Sequence, residues 1–193
     1  MQPLLSWYDA GHRDLPWRSE PAPYRVWVSE IMLQQTRVEA VRGYFSRWMN
    51  ALPDIPALAA ADEAVYTKLW EGLGYYSRVR NLHRAAVLLC EEYGGELPAD
   101  YDRLLALPGV GEYTAGAVAS IAFGLPVPAV DGNVLRVAAR LDNDFTPITD
   151  AKFKKQTRER FAALMPSDRP GDLNQSLLEL GATVCVPNGA PRC

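Results

Sequence analysis

Apolar residues recur at helical spacing along almost the whole sequence. In the helix predicted at Tyr24–Gln35, four of them occupy positions i, i+3, i+4 and i+7 and so share one face: Tyr24, Trp27, Val28 and Ile31. No stretch longer than a few residues alternates apolar and polar residues as a half-buried β-strand does. Glycine and proline interrupt the helical pattern at short intervals. The sequence therefore predicts nine or ten helices with short links in an all-α fold.

Size and composition favour an intracellular globular protein. The chain has 193 residues, of which 48% are hydrophobic, enough for one core or two small lobes. No apolar run approaches the ~20 residues of a membrane helix, and the first 17 residues are too polar for a secretory signal. The net charge of −3 argues mildly against a nucleic-acid partner. That argument is weak, because binding depends on where the cations lie rather than on their sum.

The most distinctive motif is the turn Leu107–Gly111 (LPGVG), which is followed by an apolar helix predicted at Tyr113–Phe123. A glycine turn leading into a helix presents unpaired N–H groups at the positive end of the helix dipole, where a phosphate can bind. The same turn could also be a tight corner between two helices without a ligand.

Two carboxylates are candidates for chemistry. Glu30 falls about 60° from Trp27 around the helix, at the border of the apolar face, where a carboxyl tends toward a raised pKa. Asp131 precedes a predicted helix, whose dipole lowers the pKa of an N-terminal carboxylate. A neutral acid and an ionised carboxylate together can break a glycosidic bond. Glu30 could equally be a structural ion-pair partner, and Asp131 a simple N-cap.

Two further clusters have open interpretations. Tyr75 and Tyr76 are followed by Arg78, Arg80 and Arg84, a pattern that suits base stacking and phosphate contacts, or else buried aromatic packing with solvated arginines. Among the cysteines, Cys90 is predicted to be a buried thiol in a helix. Cys185 and Cys193 flank a Pro/Gly loop. They could form a disulfide, which an intracellular chain disfavours, or supply two of four metal ligands.

Taken together, the motifs resemble those of the adenine DNA glycosylases in order and spacing, over essentially the whole chain. The matching segments are Leu15–Arg18, Ser29–Thr36, Gly72–Tyr76, Leu107–Ala117 and Val130–Asn133, with Leu180–Cys185 matching the entry to that family's iron–sulfur loop. The resemblance implies a two-lobed helix-hairpin-helix DNA glycosylase fold with the active site in the cleft between the lobes. Residues 19–125 would form a six-helix barrel lobe containing the helix-hairpin-helix (101–123), and residues 1–18 with 126–193 the second lobe.

The resemblance also implies a reaction. The family removes adenine mispaired with 8-oxoguanine. By resemblance, Glu30 protonates the departing adenine and then handles the water, Asp131 stabilises the oxocarbenium ion, and Asn133 holds its surroundings. Tyr113 stands where bifunctional relatives such as endonuclease III carry a lysine nucleophile. Because tyrosine cannot form a Schiff base, we expect base removal without a lysine-driven strand cut.

By the same resemblance, the wall of the adenine pocket is formed by Arg13, Leu15, Trp17 and Arg18. The duplex is entered by Gln35 and Tyr75, with further DNA contacts from Thr36, Pro108, Gly109, Val110 and Gly111. The implied partner is double-stranded DNA containing A:8-oxoguanine or A:G mispairs, bound by a monomer in the bacterial cytoplasm at the nucleoid.

A four-iron, four-sulfur (4Fe–4S) cluster is expected from the family, whose motif has four cysteines, but only Cys185 and Cys193 match it here. Either the protein continues past Cys193 or this form lacks the cluster. The family's C-terminal domain, which reads 8-oxoguanine, is also not in this sequence, so we expect weakened discrimination of the opposing base. Two alternatives stay open: a thymine or uracil mismatch glycosylase of the same superfamily, and a non-catalytic DNA-binding module.

Overall fold

The computed structural model describes residues 2–188 and 190–192, and this part of the chain contains eleven α-helices and no β-strand. In chain order the helices are α1 (Gln2–Gly11), α2 (Pro23–Leu33), α3 (Val38–Ala51), α4 (Ile55–Ala59), α5 (Glu63–Trp70), α6 (Ser77–Tyr93), α7 (Tyr101–Leu105), α8 (Glu112–Phe123), α9 (Gly132–Leu141), α10 (Ala151–Leu164) and α11 (Pro170–Thr183). The predicted all-α class is confirmed. None of the helices formed by these residues has the length and apolar character needed to cross a membrane.

Local capping explains where several helices begin and end. The side chains of Asp100, Asp131 and Asp150 accept hydrogen bonds from backbone N–H groups two or three residues further on, at the starts of α7, α9 and α10. These contacts satisfy donors that have no partner inside the helix. Gly94 ends α6 with a φ of 64°, a left-handed conformation that glycine adopts without strain.

Three helix boundaries differ from the sequence prediction. The short helix α4 was not predicted, although Asp54 caps it by accepting from the N–H of Ala57. Aspartate is a favoured N-cap residue, so the sequence predicts that the last helix begins after Asp172. Instead α11 begins at Pro170, and Asp172 lies in its first turn and pairs with Arg169. The helix α2 ends at Leu33, because two residues later the backbone turns into a left-handed conformation.

Tertiary contacts divide the chain into two compact units. One of them, Asp14–Val118, contains α2 to α7 and most of α8; here α6 packs against α2, α4 and α5, and α3 against α2 and α5. Aromatic rings packed edge to face build its core, with centroids 5.6 Å apart for Trp48 and Trp70 and 5.5 Å apart for Trp17 and Phe45. The predicted division at residues 18/19 and 125/126 lies a few residues beyond these boundaries.

The other unit comprises the chain up to Arg13 and the described residues from Ala119 onward. In this unit α11 packs against α1 and α9, and α10 packs against α9. Its hydrophobic core cluster consists of the buried residues Leu5, Val134, Leu135, Val137, Ala138, Phe153, Phe161, Leu173, Leu177 and Cys185. The helix α10 buries only Phe153, Thr157 and Phe161, which leaves its lysines exposed.

Candidate active site

Asp131 is held by three hydrogen bonds at the start of α9. Its Oδ1 accepts from the backbone N–H of Asn133 at 2.8 Å and from that of Val134 at 2.9 Å. Its Oδ2 accepts from Nδ2 of Asn133 at 2.7 Å. Both carboxylate oxygens therefore have fixed donors, and the side chain has a defined orientation. The predicted N-cap is confirmed, and the structure brings Asp131 and Asn133 together as predicted.

Burial raises the pKa of Asp131 above its ordinary value, while the hydrogen bonds from Val134 and Asn133 act in the opposite direction. The sequence argument from the helix dipole predicted a lowered pKa, and that prediction is wrong. Removal from water disfavours the charged carboxylate more than the cap favours it. A carboxylate destabilised in this way would be relieved by a cation forming beside it.

Asn133 connects this carboxylate to α11 through Arg136, a residue that the sequence analysis did not single out. The Oδ1 atom of Asn133 accepts from Nη2 of Arg136 at 2.7 Å, which leaves its Nδ2 to donate to Asp131. Arg136 also donates to the carbonyl oxygens of Gly181 and Cys185, each at 2.7 Å. One guanidinium thus fixes the amide of Asn133 and the end of α11.

Close helix packing supports the same arrangement. A Cβ atom at Gly181 would lie 2.5 Å from Cβ of Asn133 and 3.0 Å from its Cα. Glycine at this position therefore allows α11 to contact the first turn of α9 directly. This close approach was not predicted, because a glycine within a helical pattern does not identify its partner.

Glu30 lies in α2, within the Asp14–Val118 unit, whereas Asp131 belongs to the other unit. The sequence placed Glu30 at the border of an apolar face. In the structure Glu30 is buried with 6% of its surface exposed, since α2 buries Tyr24 and all seven residues from Val26 to Met32. Burial of this kind disfavours the charged form of a carboxyl group in general.

Arg13, predicted to line a base pocket, is held by an ion pair with a buried carboxylate. Its backbone N–H, Nε and Nη2 donate to the carboxylate of Glu179 in α11 over 2.7–3.1 Å. Glu179 is only 2% exposed. Glu179 was not predicted, because its partner is distant in the chain. The ion pair fixes where the guanidinium of Arg13 points.

The other predicted pocket residues follow Arg13 in sequence and belong to the Asp14–Val118 unit. Leu15 and Trp17 are buried, and Arg18 is half-buried. Arg25 stabilises this segment by donating from Nη2 to the carbonyl oxygen of Pro16 at 2.9 Å. Leu15 and Trp17 are thus anchored in the core of the unit.

The glycine-rich turn lies between α7 and α8, as predicted. The N–H of Val110 donates to the carbonyl of Leu107 at 3.1 Å, and the carbonyl of Gly111 accepts from Ala115 in the first turn of α8. Gly109 has a φ of 77°, and a Cβ atom there would lie 2.7 Å from Cβ of Asn81 in α6. Pro108 is half-buried and Val110 is buried, while a Cβ atom at Gly111 would meet open space.

Tyr113 is the second residue of α8 and is half-buried. Its neighbour Thr114 is buried and accepts a hydrogen bond from Nε2 of Gln34 at 3.3 Å. This contact joins the first turn of α8 to the segment that follows α2. The helix-hairpin-helix and the predicted DNA-entering residue Gln35 therefore belong to one connected part of the unit.

Gln35 and Tyr75 are both exposed, Tyr75 with 63% of its surface, and Thr36 beside them is half-buried. Gln35 has a φ of 56° and Tyr75 a φ of 47°. Left-handed conformations are uncommon for residues other than glycine and tend to occur at functional sites. Arg78, which the sequence analysis grouped with solvated or phosphate-binding arginines, is instead buried.

Of the two expected iron–sulfur ligands, the structure describes Cys185. Cys185 is buried and accepts from Nη1 of Arg140 at 3.0 Å, and Cys193 lies outside the described residues. Cys90 is half-buried in α6, in the other unit. No group of three or more His, Cys, Asp or Glu within residues 2–188 and 190–192 is arranged to hold a metal ion. A 4Fe–4S cluster takes four thiolates, so the described residues on their own do not fit one.

The fold and the helix-hairpin-helix define the class of protein. The chain belongs to the HhH-GPD superfamily of base excision DNA repair proteins, whose sequence profile matches residues 28–165. This range begins just before Glu30 and includes the glycine-rich turn and Asp131.

Individual relatives are more specific. The adenine DNA glycosylase of Mus musculus is 47% identical over 199 residues, covering 98% of this chain and 38% of the mouse protein. The adenine DNA glycosylase of Mycolicibacterium smegmatis is 44% identical over 192 residues, covering 98% of this chain and 64% of that protein. The chain thus spans less than two thirds of either relative. A solved structure of a thermostable thymine-DNA glycosylase matches with a TM-score of 0.88 at 27% identity, covering 100% of this chain and 88% of that one.

Proposed function

We propose that this chain is a DNA glycosylase that hydrolyses the N-glycosidic bond of adenine mispaired with 8-oxoguanine or guanine. The observation that carries this proposal is the 47% identity to an adenine DNA glycosylase across 98% of the chain. The geometry at Asp131 supports a glycosidic reaction, because a buried and oriented carboxylate can stabilise a cation that forms on a sugar. Double-stranded DNA is the proposed partner, and the chain acts as a monomer at the chromosome.

In the proposed mechanism, Glu30 is the general acid. Adenine is a poor leaving group as an anion, so proton transfer to the base lowers the barrier to its departure. Glu30 then takes a proton from the water that attacks the sugar. Before this, the nucleotide must leave the base stack, at a cost of a few kcal/mol. Arg13, Leu15, Trp17 and Arg18 are proposed to receive the extruded adenine.

Asp131 is proposed to act as an ionised carboxylate beside the oxocarbenium ion, with Asn133 keeping its orientation. The two oxygens of Asp131 are already bound to three N–H donors, so little reorganisation is required when positive charge develops. Tyr113 supplies no amine, and the reaction therefore uses water rather than a Schiff base.

DNA binding is proposed to use the two exposed residues Gln35 and Tyr75 together with the glycine-rich turn. Gln35 and Tyr75 enter the duplex beside the extruded nucleotide, and Thr36 contacts the strand. Pro108, Gly109, Val110 and Gly111 lead into α8, where the first N–H groups of a helix can bind a phosphate.

A second candidate is removal of thymine from mispairs with guanine, which the structural match to a thymine-DNA glycosylase favours. Base release from A:8-oxoguanine, A:G, T:G and U:G duplexes under single-turnover conditions separates the candidates. We expect release from the two adenine duplexes. Release confined to T:G or U:G would reject adenine as the substrate, and no release with retained mispair binding would indicate a non-catalytic module.

Glu30→Gln tests the proposed acid, because it keeps the shape of the side chain but cannot donate the carboxyl proton. We expect base release to fall at least about 10²-fold with DNA affinity retained. Glu39→Gln, at an exposed carboxylate of α3 paired with Arg42, is the matched control and should react like the wild type. Equal rates for Glu30→Gln and the wild type would exclude Glu30 as the acid.

A further inference from the structure

Arg78, the second residue of α6, is buried although it carries a full positive charge, with 9% of its surface exposed. Its terminal nitrogens Nη1 and Nη2 donate over 2.5–3.3 Å to five backbone carbonyl oxygens and one hydroxyl: those of Ile31, Met32, Gln34, Leu73 and Gly74, and Oγ1 of Thr36. One guanidinium therefore binds the C-terminal end of α2 and the turn before α6, two segments far apart in sequence. Within the described chain its acceptors are backbone dipoles and a hydroxyl rather than a carboxylate.

The two segments share an unusual backbone feature. We call residues 34–36 the Gln35 turn and residues 72–75 the Tyr75 turn, and Gln35 and Tyr75 are both left-handed. In each turn the carbonyl directly before the left-handed residue accepts from Arg78: that of Gln34 from Nη1 and that of Gly74 from Nη2. Since φ of a residue depends on the peptide plane that precedes it, these bonds restrain the conformation of both residues.

The guanidinium also lies under the exposed ring of Tyr75. Its central carbon is 5.7 Å from the centroid of that ring and 5.2 Å from the centroid of Trp70. Trp70 adds a further restraint, because its Nε1 donates to the carbonyl of Gly74 at 3.1 Å. An arginine suits this place because its planar fork reaches acceptors on two sides at once, whereas a lysine ammonium is a single point.

We propose that Arg78 is a positioning residue that fixes the Gln35 turn and the Tyr75 turn to each other, so that both side chains enter the duplex together. This inference rests on the proposed function, which assigns Gln35 and Tyr75 to DNA entry. Arg78 is covered by protein and acts through the two turns, without contacting the base that is removed.

Hydrogen–deuterium exchange of the free protein tests the coupling without DNA. In Arg78→Lys, the amides of both turns are expected to exchange about tenfold faster or more, since both lose acceptor restraints at once. Arg42→Lys is the matched control, because Arg42 is half-buried and pairs with Glu39 within the same helix, α3. Thermal unfolding verifies that each variant is folded, and Arg78→Gln replaces the lysine variant if that one is not. Faster exchange in the Tyr75 turn alone would overturn the proposal.

Base release tests whether Arg78 acts through these side chains. In the wild-type background, Arg78→Lys should slow single-turnover release about tenfold or more, because misplaced groups lose rate steeply. In a Gln35→Gly, Tyr75→Gly background the same change should alter the rate little, since the side chains that it positions are gone. Equal losses in both backgrounds would overturn the proposal. If the wild type releases no base, the proposed function fails, while the exchange experiment still decides whether Arg78 couples the turns.

Discussion

At Asp131, a favourable helix cap and an unfavourable burial act on the same carboxyl group. Three hydrogen bonds hold its oxygens, yet its pKa is raised. The folded protein therefore destabilises the charged form that the proposed chemistry uses. Such a conflict between stability and activity is typical of catalytic positions.

The sign of this effect predicts a pH dependence for Asp131→Asn. A raised pKa means that the charge on Asp131 costs stability at neutral pH and not in acid, where the group is protonated both folded and unfolded. The melting temperature of Asp131→Asn relative to the wild type should therefore increase from about pH 4 to about pH 7. Base release should fall about 10²–10³-fold.

Asp150→Asn is the control for this series, because Asp150 caps α10 through Phe153 at an exposed position. Its melting temperature relative to the wild type, measured at the same pH values, gives the response of the same substitution at a helix cap outside the candidate site. Thermal unfolding monitored by circular dichroism across this range gives both comparisons. A relative stability of Asp131→Asn that decreases with pH would mean that burial does not dominate at Asp131.

The presence of tyrosine at position 113 predicts that the product of the proposed reaction is an abasic site in an intact strand. Because its phenol cannot form a Schiff base, a labelled duplex should keep an intact strand after adenine release at neutral pH. Subsequent alkali should cleave the strand at the abasic site in proportion to base release. Gel electrophoresis with and without alkali measures both quantities, and efficient cleavage before alkali would contradict the assigned role of Tyr113.

The sequence was sufficient to predict interactions between residues that are close together in the chain. The cap at Asp131 was predicted, and the cap at Asp100 follows from the sequence in the same way, because donor and acceptor lie within three residues. The partners Arg13 and Glu179 are 166 residues apart, and no spacing rule connects them. The burial of Arg78 could have been predicted, since Arg78 lies one turn before Leu82 on the apolar face of α6. An arginine at such a position, however, commonly extends its charged end into water. The catalytic roles of Glu30 and Asp131 remain predictions.

At the scale of elements, the helix-hairpin-helix was the most predictable part of the fold. Its turn contains the residues that end one helix and begin the next, so α7 and α8 follow from a short sequence. The helix α4 was missed because five residues are too few to show a period, although Asp54 and Pro56 are typical of a helix start. Short helices depend on their tertiary contacts, here with α6.

The two glycines of the hairpin should respond differently to alanine. Gly109→Ala forces a side chain into a left-handed residue and against Asn81, so we expect a loss of about 1–3 kcal/mol of stability. Gly111→Ala points into open space and should leave the melting temperature unchanged. If a phosphate approaches the backbone at this point, Gly111→Ala should nevertheless weaken DNA binding. Thermal unfolding and fluorescence anisotropy measure the two effects, and unchanged affinity would remove Gly111 from the proposed contact.

For the whole molecule, the net charge of −3 determines how we expect DNA affinity to change with salt concentration. Binding should depend on a few localised phosphate contacts rather than on overall attraction. Three such contacts would reduce affinity roughly 40-fold between about 50 and about 200 mM salt. Anisotropy titrations over this range give the slope. Affinity that is independent of salt would contradict binding through phosphates.

The contact between Arg136 and the carbonyl of Cys185 limits how short a fragment of this chain can be if Asn133 is to keep its orientation. Trimming the polypeptide after residue 184 would remove that acceptor, and with it one of the restraints on the guanidinium that orients Asn133. The amide of Asn133 would then be freer to turn away from Asp131. Residues that follow the last helix therefore belong to the machinery that shapes the carboxylate, although they lie more than fifty positions downstream of it.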